Sequence, residues 1–188
     1  MKYYALNKPY GVLSQFKAEE GEVTLASIYK FPPNVYPVGR LDKDSEGLLL
    51  LTDDKNLTEY LLNPKNKHER EYYAQLEGIP TKEELNKLES GVIIEGKKTL
   101  PAKAKLLHSI KIIPRNPPIR FRKNIPDCWI SLTLVEGRNR QVRKMTANIG
   151  HPTLRLIRLR IKNILLGNLH PGKVRVLNDS EIKKLKEM

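Results

Sequence analysis

The sequence predicts an α+β fold, and three observations carry that reading. Four consecutive leucines, Leu48 to Leu51, make an apolar run too short for an ordinary helix but suited to a strand buried on both faces. Ile130, Leu132 and Leu134 alternate with Ser131 and Thr133, the period of a strand with one buried face. Thr81-Lys82-Glu83-Glu84 has the reciprocal capping pattern of a helix start, with Leu85 and Leu88 as its buried stripe and Gly91 as its close. Strands and helices of these kinds do not alternate regularly along the chain, as a doubly wound sheet would require.

Taken in order, residues 3–6 open the chain as a strand that the Pro and Gly of Asn7-Lys8-Pro9-Tyr10-Gly11 turn aside. Pro32, Pro33 and Pro37 keep 31–38 irregular and lead into a charged loop, 39–47, before the leucine strand. Asn56 is the expected cap of a short helix carrying Leu57, Tyr60 and Leu61, stopped at Asn63-Pro64. Residues 71–76 read as a strand, and Val92–Ile94 and 102–107 as two more, with a turn at Gly96 between them. A basic, proline-stiffened loop spans 114–126, a length that is uncommon in a compact domain without a function. After the alternating strand, Glu136–Arg140 turns into a helix with Val142, Met145 and Ile149 on one side, ended by Gly150. Residues 154–161 form another strand, and Asp179 or Ser180 caps a last helix carrying Ile182 and Leu185.

Composition narrows the function classes. With 39% hydrophobic and 29% charged residues, the 188-residue chain reads as a soluble globular protein holding one core or two small, intimately packed halves. No window approaches the ~18 apolar residues of a membrane span, and the start lacks a signal-peptide layout, so no membrane partner is expected. A single cysteine, Cys128, excludes an internal disulfide and fits a reducing cytoplasm. His68, His108, His151 and His170 lie at no metal-binding spacing, so no metal site is expected. The net charge is +13, but residues 1–60 hold 7 Lys or Arg against 9 Asp or Glu, whereas 101–160 hold 14 against 2. A solvated face mixes both signs, so this concentration points to a polyanion, and nucleic acid is the natural one.

Three constellations could carry chemistry. In the loop, Asp42, Asp44, Glu46, Gly47 and Asp53 fall at positions 1, 3, 5, 6 and 12 of a calcium-loop pattern. The pattern lacks its terminal glutamate and its flanking helices, which weakens that rival. An Asp-x-Asp phosphatase pair is a second rival, although its strand should precede the acids, and a plain surface ion-pair cluster is the common fate of such charges. Around Arg138, Asn139, Arg140, Gln141, Arg143 and Lys144, four bases open a helix where cations oppose the macrodipole, a cost that a bound anion would relieve. Arg143 flanks the apolar face of that helix, whereas Arg138, Arg140 and Lys144 are expected to be solvated. In Glu69-Arg70-Glu71-Tyr72-Tyr73, alternation puts only one ring on the core face, and the sequence leaves open which.

Together, and in this order, these pieces resemble the pseudouridine synthases of the ribosomal small- and large-subunit branch. Gly39-Arg40-Leu41-Asp42 with Asp44-Ser45-Glu46-Gly47-Leu48-Leu49 is similar to the nucleophile motif of that family, and Asn7–Ser14 to the segment before it. Arg70-Glu71-Tyr72 resembles the tyrosine motif, with Arg where many relatives carry Lys, and Gly137–Arg143 resembles the basic motif. Pro114–Arg120 and 145–158 draw the likeness toward the large-subunit members. The resemblance implies a mixed, largely antiparallel sheet with flanking helices, in two halves around a basic cleft. It also implies a cofactor-free isomerisation of a uridine in ribosomal RNA, either in a stem-loop or in a partly assembled large subunit. Asp42 would attack the flipped-out nucleotide at C1′ or at the pyrimidine ring, paired with and oriented by Arg143, while Tyr72 stacks on the base. Arg40, Arg115, Arg120, Arg122, Arg138, Asn139, Arg140, Gln141 and Lys144 are the expected RNA contacts. Many relatives begin with an S4-type RNA-binding domain. Here the motifs start at residue 7, so one catalytic domain over 1–188 is expected, without an S4 domain and acting as a monomer. The alternative is a non-catalytic, ribosome-associated RNA-binding protein using the same basic face.

Overall fold

The computed structural model describes residues 1–119 and 125–187. Among these residues the fold is α+β, with a mainly antiparallel sheet and four α-helices. The chain divides into two compact units: Met1–His68 with Ile157–Met188, and Glu69–Leu156.

In the first unit, β1 (Tyr3–Lys8) pairs antiparallel with β3 (Glu46–Thr52) and, on its other edge, with β11 (Val174–Val176). The short β2 (Tyr36–Pro37) also pairs with β3. The second half of β9 (Thr153–Ile161) runs parallel to β3 through Glu46↔Ile157 and Gly47↔Arg158, and it carries β10 (Ile164–Leu165). All seven residues of β3 are buried, as an unbroken leucine run demands. Leu49 and Leu51 join Tyr4, Leu6, Val12, Leu25 and Val35 in one apolar cluster, edged by Phe16 and Phe31.

Helix α1 (Lys55–Leu62) is capped by Asp54, whose carboxylate accepts from Leu57 N, and not by the expected Asn56. Asp54 prevails because its second oxygen also accepts from Tyr3 OH at 2.8 Å and pairs with Lys186 Nζ at 2.8 Å. Burial pushes its carboxyl up, but the hydrogen bonds from Lys186, Leu57 and Tyr3 outweigh that and hold it below the usual carboxylate range. Helix α4 (Asp179–Lys186) also starts earlier than expected, by one residue from Asp179 or two from Ser180 as the cap. Asn178 caps it in a reciprocal box with Glu181.

In the second unit, β8 (Asp127–Leu134) lies between β4 (Arg70–Glu77) and β7 (Lys103–Leu107), both antiparallel to it. The capping box of α2 (Lys82–Ser90) forms as the sequence predicts, with Thr81 Oγ1 accepting from Glu84 N and Glu84 Oε2 from Thr81 N. Gly96 turns β5 (Ile93–Ile94) into β6 (Lys97–Lys98), a two-stranded ribbon, rather than into the strand at 103–107 as expected. Helix α3 (Gln141–Asn148) buries Val142 and Met145, as their spacing requires. No helix among the described residues is long and apolar enough to cross a membrane.

Candidate active site

The loop that carries Asp42 is held from both sides by the segment that follows β1. Ser14 Oγ donates to Leu41 O at 2.7 Å and accepts from Leu41 N at 3.0 Å, so one buried hydroxyl satisfies both backbone groups of the residue before Asp42. Gly11 N donates to the carbonyl of Lys43, the residue after it, at 2.8 Å. A turn closes the loop through Ser45 N to Asp42 O at 3.0 Å. Loop backbone with this many partners has little freedom, and it presents the half-buried Asp42 on a fixed stem. Beyond the turn, Ser45 and Glu46 are buried as β3 begins. Positions five to eleven of the calcium frame therefore lie in an extended strand and cannot wrap a cation.

Gly47 is fixed by packing. Its φ is +101°, and a Cβ there would meet Arg158 O at 2.4 Å and Arg158 N at 2.7 Å, so only glycine lets β3 and β9 approach. Arg158 is itself buried and donates through Nε to Leu48 O at 2.7 Å. Among the described residues the most buried cation is Lys8, which is fully shielded from solvent. Its Nζ donates to Val12 O at 2.6 Å and Pro9 O at 2.9 Å. Burial pulls its ammonium down to about 8, against the opposing pull of Glu46, Asp44 and Asp42. Lys8 thus braces the turn that clamps Leu41 and also places a positive charge near the three acids. Neither Lys8 nor Ser14 stands out as a site residue from sequence. The only signal is that both fall in the Asn7–Ser14 segment of the resemblance.

The other two expected catalytic residues belong to the second unit. Tyr72, on β4 opposite Leu132, is the buried ring of the tyrosine pair, whereas Tyr73 is half-buried, which resolves the choice left open by alternation. Arg143, on α3, is half-buried and donates through Nη1 to Thr153 O at 3.2 Å.

The expected RNA contacts divide. Arg40 and Arg140 are exposed, Arg140 in a left-handed conformation (φ +51°) at the start of α3, as is Asn139. Unlike the other three described α-helices, α3 has no capping side chain, and its first turn carries no acid. Gln141, by contrast, is 4% exposed, with Nε2 on Glu136 Oε1 at 2.6 Å and Oε1 on Arg138 N at 2.9 Å. Its amide shapes the turn and is not presented to a ligand. Arg138 is not solvated as expected, because its guanidinium donates to the Lys97 and Lys98 carbonyls and pairs with Glu136 at 3.3 Å. Lys144 is similarly drawn to Glu95 at 2.6 Å. Both are held by the β5–β6 ribbon, whose first strand and turn are legible in the sequence and whose second strand is not. Arg115 is half-buried and donates to Pro117 O at 2.7 Å, while Arg120 and Arg122 lie outside the described residues.

The sequence profile described as RNA pseudouridylate synthase matches residues 2–148. The chain is similar to the ribosomal large subunit pseudouridine synthase E of Vibrio parahaemolyticus, 49% identical over 172 residues that cover 92% of this chain and 72% of that protein. It is 49% identical over 174 residues to the protein of the same name from Xanthomonas campestris, covering 91% of this chain and 92% of the relative. A crystal structure described as that of pseudouridylate synthase superposes with a TM-score of 0.82 at 30% identity, covering 98% of this chain and 73% of that one. These matches bear out the likeness carried by the loop, tyrosine and basic motifs: the chain belongs to the RNA pseudouridylate synthase family.

Proposed function

We propose that this protein converts a uridine of ribosomal RNA, of the large-subunit type, into pseudouridine, with Asp42 as the nucleophile. The clamped loop carries the proposal. Two hydrogen bonds from one serine hydroxyl and one from Gly11 fix the backbone on either side of a half-buried carboxylate. Attack needs a nucleophile held in a near-reactive position, and a carboxylate serves without surrendering a proton and can depart again. Asp42 attacks the extruded nucleotide, the uracil detaches, turns and rejoins through C5, C5 gives up its proton while N1 gains one, and the carboxylate is released. No redox step or group carrier is called for. In this reading Arg143 is the cation that orients Asp42, and the Tyr72 ring stacks on the base. Arg40, Arg115, Asn139 and Arg140 hold the flanking backbone, and the protein works as a monomer in the cytoplasm on a stem-loop or a partly assembled particle.

Asp42→Asn keeps the side-chain volume but removes the nucleophile. It should lower pseudouridine formation at least about 1000-fold, the scale of losing a nucleophile, while RNA affinity stays within about twofold in a binding titration. Isomerisation by the Asn variant would exclude Asp42 as nucleophile. Wild-type binding without isomerisation would favour the non-catalytic RNA-binding reading. In the same assay Arg143→Ala should cost far more turnover than Lys144→Ala, and equal losses would remove the special role of Arg143.

A further inference from the structure

The second unit contains an open pocket of about 280 Å³ that shares only Arg115 with the groups assigned above. Gln75 of β4 and Trp129 of β8, opposite each other in the strand register, form part of its lining, together with Arg155 at the start of β9. The loop after β7 supplies Ile112, Pro114 and Arg115. Asp42, Tyr72 and Arg143 take no part in the lining.

The Arg155 guanidinium sits 6.0 Å from the centroid of the Trp129 ring and is anchored by Nη1 to Ile113 O at 3.0 Å, although its residue is only 6% exposed. Arg115 is folded back onto its own loop through Pro117 O at 2.7 Å, which fixes its direction. The pocket therefore offers a flat indole, proline and isoleucine walls, and two restrained cations, with no acid among its described lining residues. Restrained guanidiniums beside an aromatic plane suit a planar, anionic guest. The volume lies just below the ~300 Å³ at which drug-sized pockets begin, which suits one nucleotide better than a larger ligand.

We propose that this pocket is a second nucleotide subsite, in which an unstacked base of the bound RNA lies against Trp129 while Arg155 and Arg115 meet its phosphate. The proposal rests on the RNA-modifying reading above and deepens it by naming where a second RNA base is read. RNA recognition favours such splayed-out bases, and each stacked base is held through its π-face and neighbouring arginines.

Trp129 is the only tryptophan in the chain, so its emission reports on the pocket alone. The intact protein is titrated with hexauridylate and with a large-subunit ribosomal RNA transcript. Trp129 emission should fall by about half or more at saturation, as stacking of a base on an indole implies, and should do so equally in Asp42→Asn. Trp129→Leu should bind the transcript about tenfold more weakly, in keeping with the loss of one stacked base, with the loss falling on KM rather than kcat. Trp129→Phe, which keeps an aromatic face, should recover most of that loss. Emission that does not change when RNA saturates the protein overturns the subsite, as does equal binding by the Leu and Phe variants. The two readings separate cleanly. Quenching without uridine isomerisation removes the enzymatic function and leaves the subsite, and isomerisation without quenching does the reverse. Because the titration is read on wild-type protein, it does not depend on the folding of any variant.

Discussion

Lys8 shows how much a single side chain can hide at the residue scale. In sequence, a lysine before a proline at the end of a strand looks solvated, and nothing local contradicts that. In the fold it has no solvent exposure, because its acceptors are the carbonyls of the turn it starts and its compensating acids arrive more than thirty residues later. Asp42 could be singled out from its motif, whereas its supports could not, since Lys8, Ser14 and Arg158 are joined to the loop only by tertiary contacts. The buried ammonium has a consequence for pH. Its folded value is lowered to about 8 from 10.5, so between those limits the unfolded chain holds a proton that the folded protein has given up. Stability that depends on this group therefore rises with pH through about 8 to 10.5 and is flat below that window. Denaturant unfolding of wild type and Lys8→Met across this range should show wild type gaining relative to the variant as pH rises. A constant difference would mean that Lys8 is not titrating in the fold.

At the scale of elements, the strong periodic signals were legible, and the short or competitively capped ones were not. The leucine strand, the alternating strand, the boxed helix at 82–90 and the helix before Gly150 all appear where their patterns put them. Strands of two or three residues such as β6, β10 and β11 leave no period to read. Caps went astray where several candidates were adjacent. Asn56 and Asp54 are both good capping residues, and the tie is broken by Tyr3 and Lys186, which lie far away in sequence. Asp54→Ala should therefore cost at least about 2 kcal/mol, combining a lost cap with lost partners for Tyr3 and Lys186. Asn56→Ala, at an exposed position, should stay within about 0.5 kcal/mol. Chemical denaturation of both variants tests the assignment, and the reverse order would restore Asn56 as the cap.

For the whole molecule, the charge asymmetry is the feature that sequence displays most directly, and it needs no fold to be counted. Some of those cations are nevertheless engaged within the protein, among them Arg138 and Lys144, so the number available to phosphates is smaller than the formal excess. RNA affinity should still fall with salt, with a log–log slope steeper than about −2, corresponding to three or more phosphate contacts at ~0.7 each. Asp42→Asn should share that slope, because the role proposed for Asp42 is chemical and involves no counterion release. A flat salt response would show that the basic excess does not face the RNA.

The order of the chain through its two units also bears on how the enzyme is made. Residues 69–156 form one unit without interruption, whereas the first unit is built from both ends of the polypeptide. A chain emerging from a ribosome at about 5–20 residues per second can complete the uninterrupted unit first. The other unit must wait for its closing strands. Gly47 meets Arg158 only when β9 arrives, and β1 gains its outer neighbour only with β11. The strand that supports the Asp42 loop is thus completed only after the whole of the second unit has been made, so a nascent chain lacks the finished loop support until β9 has emerged.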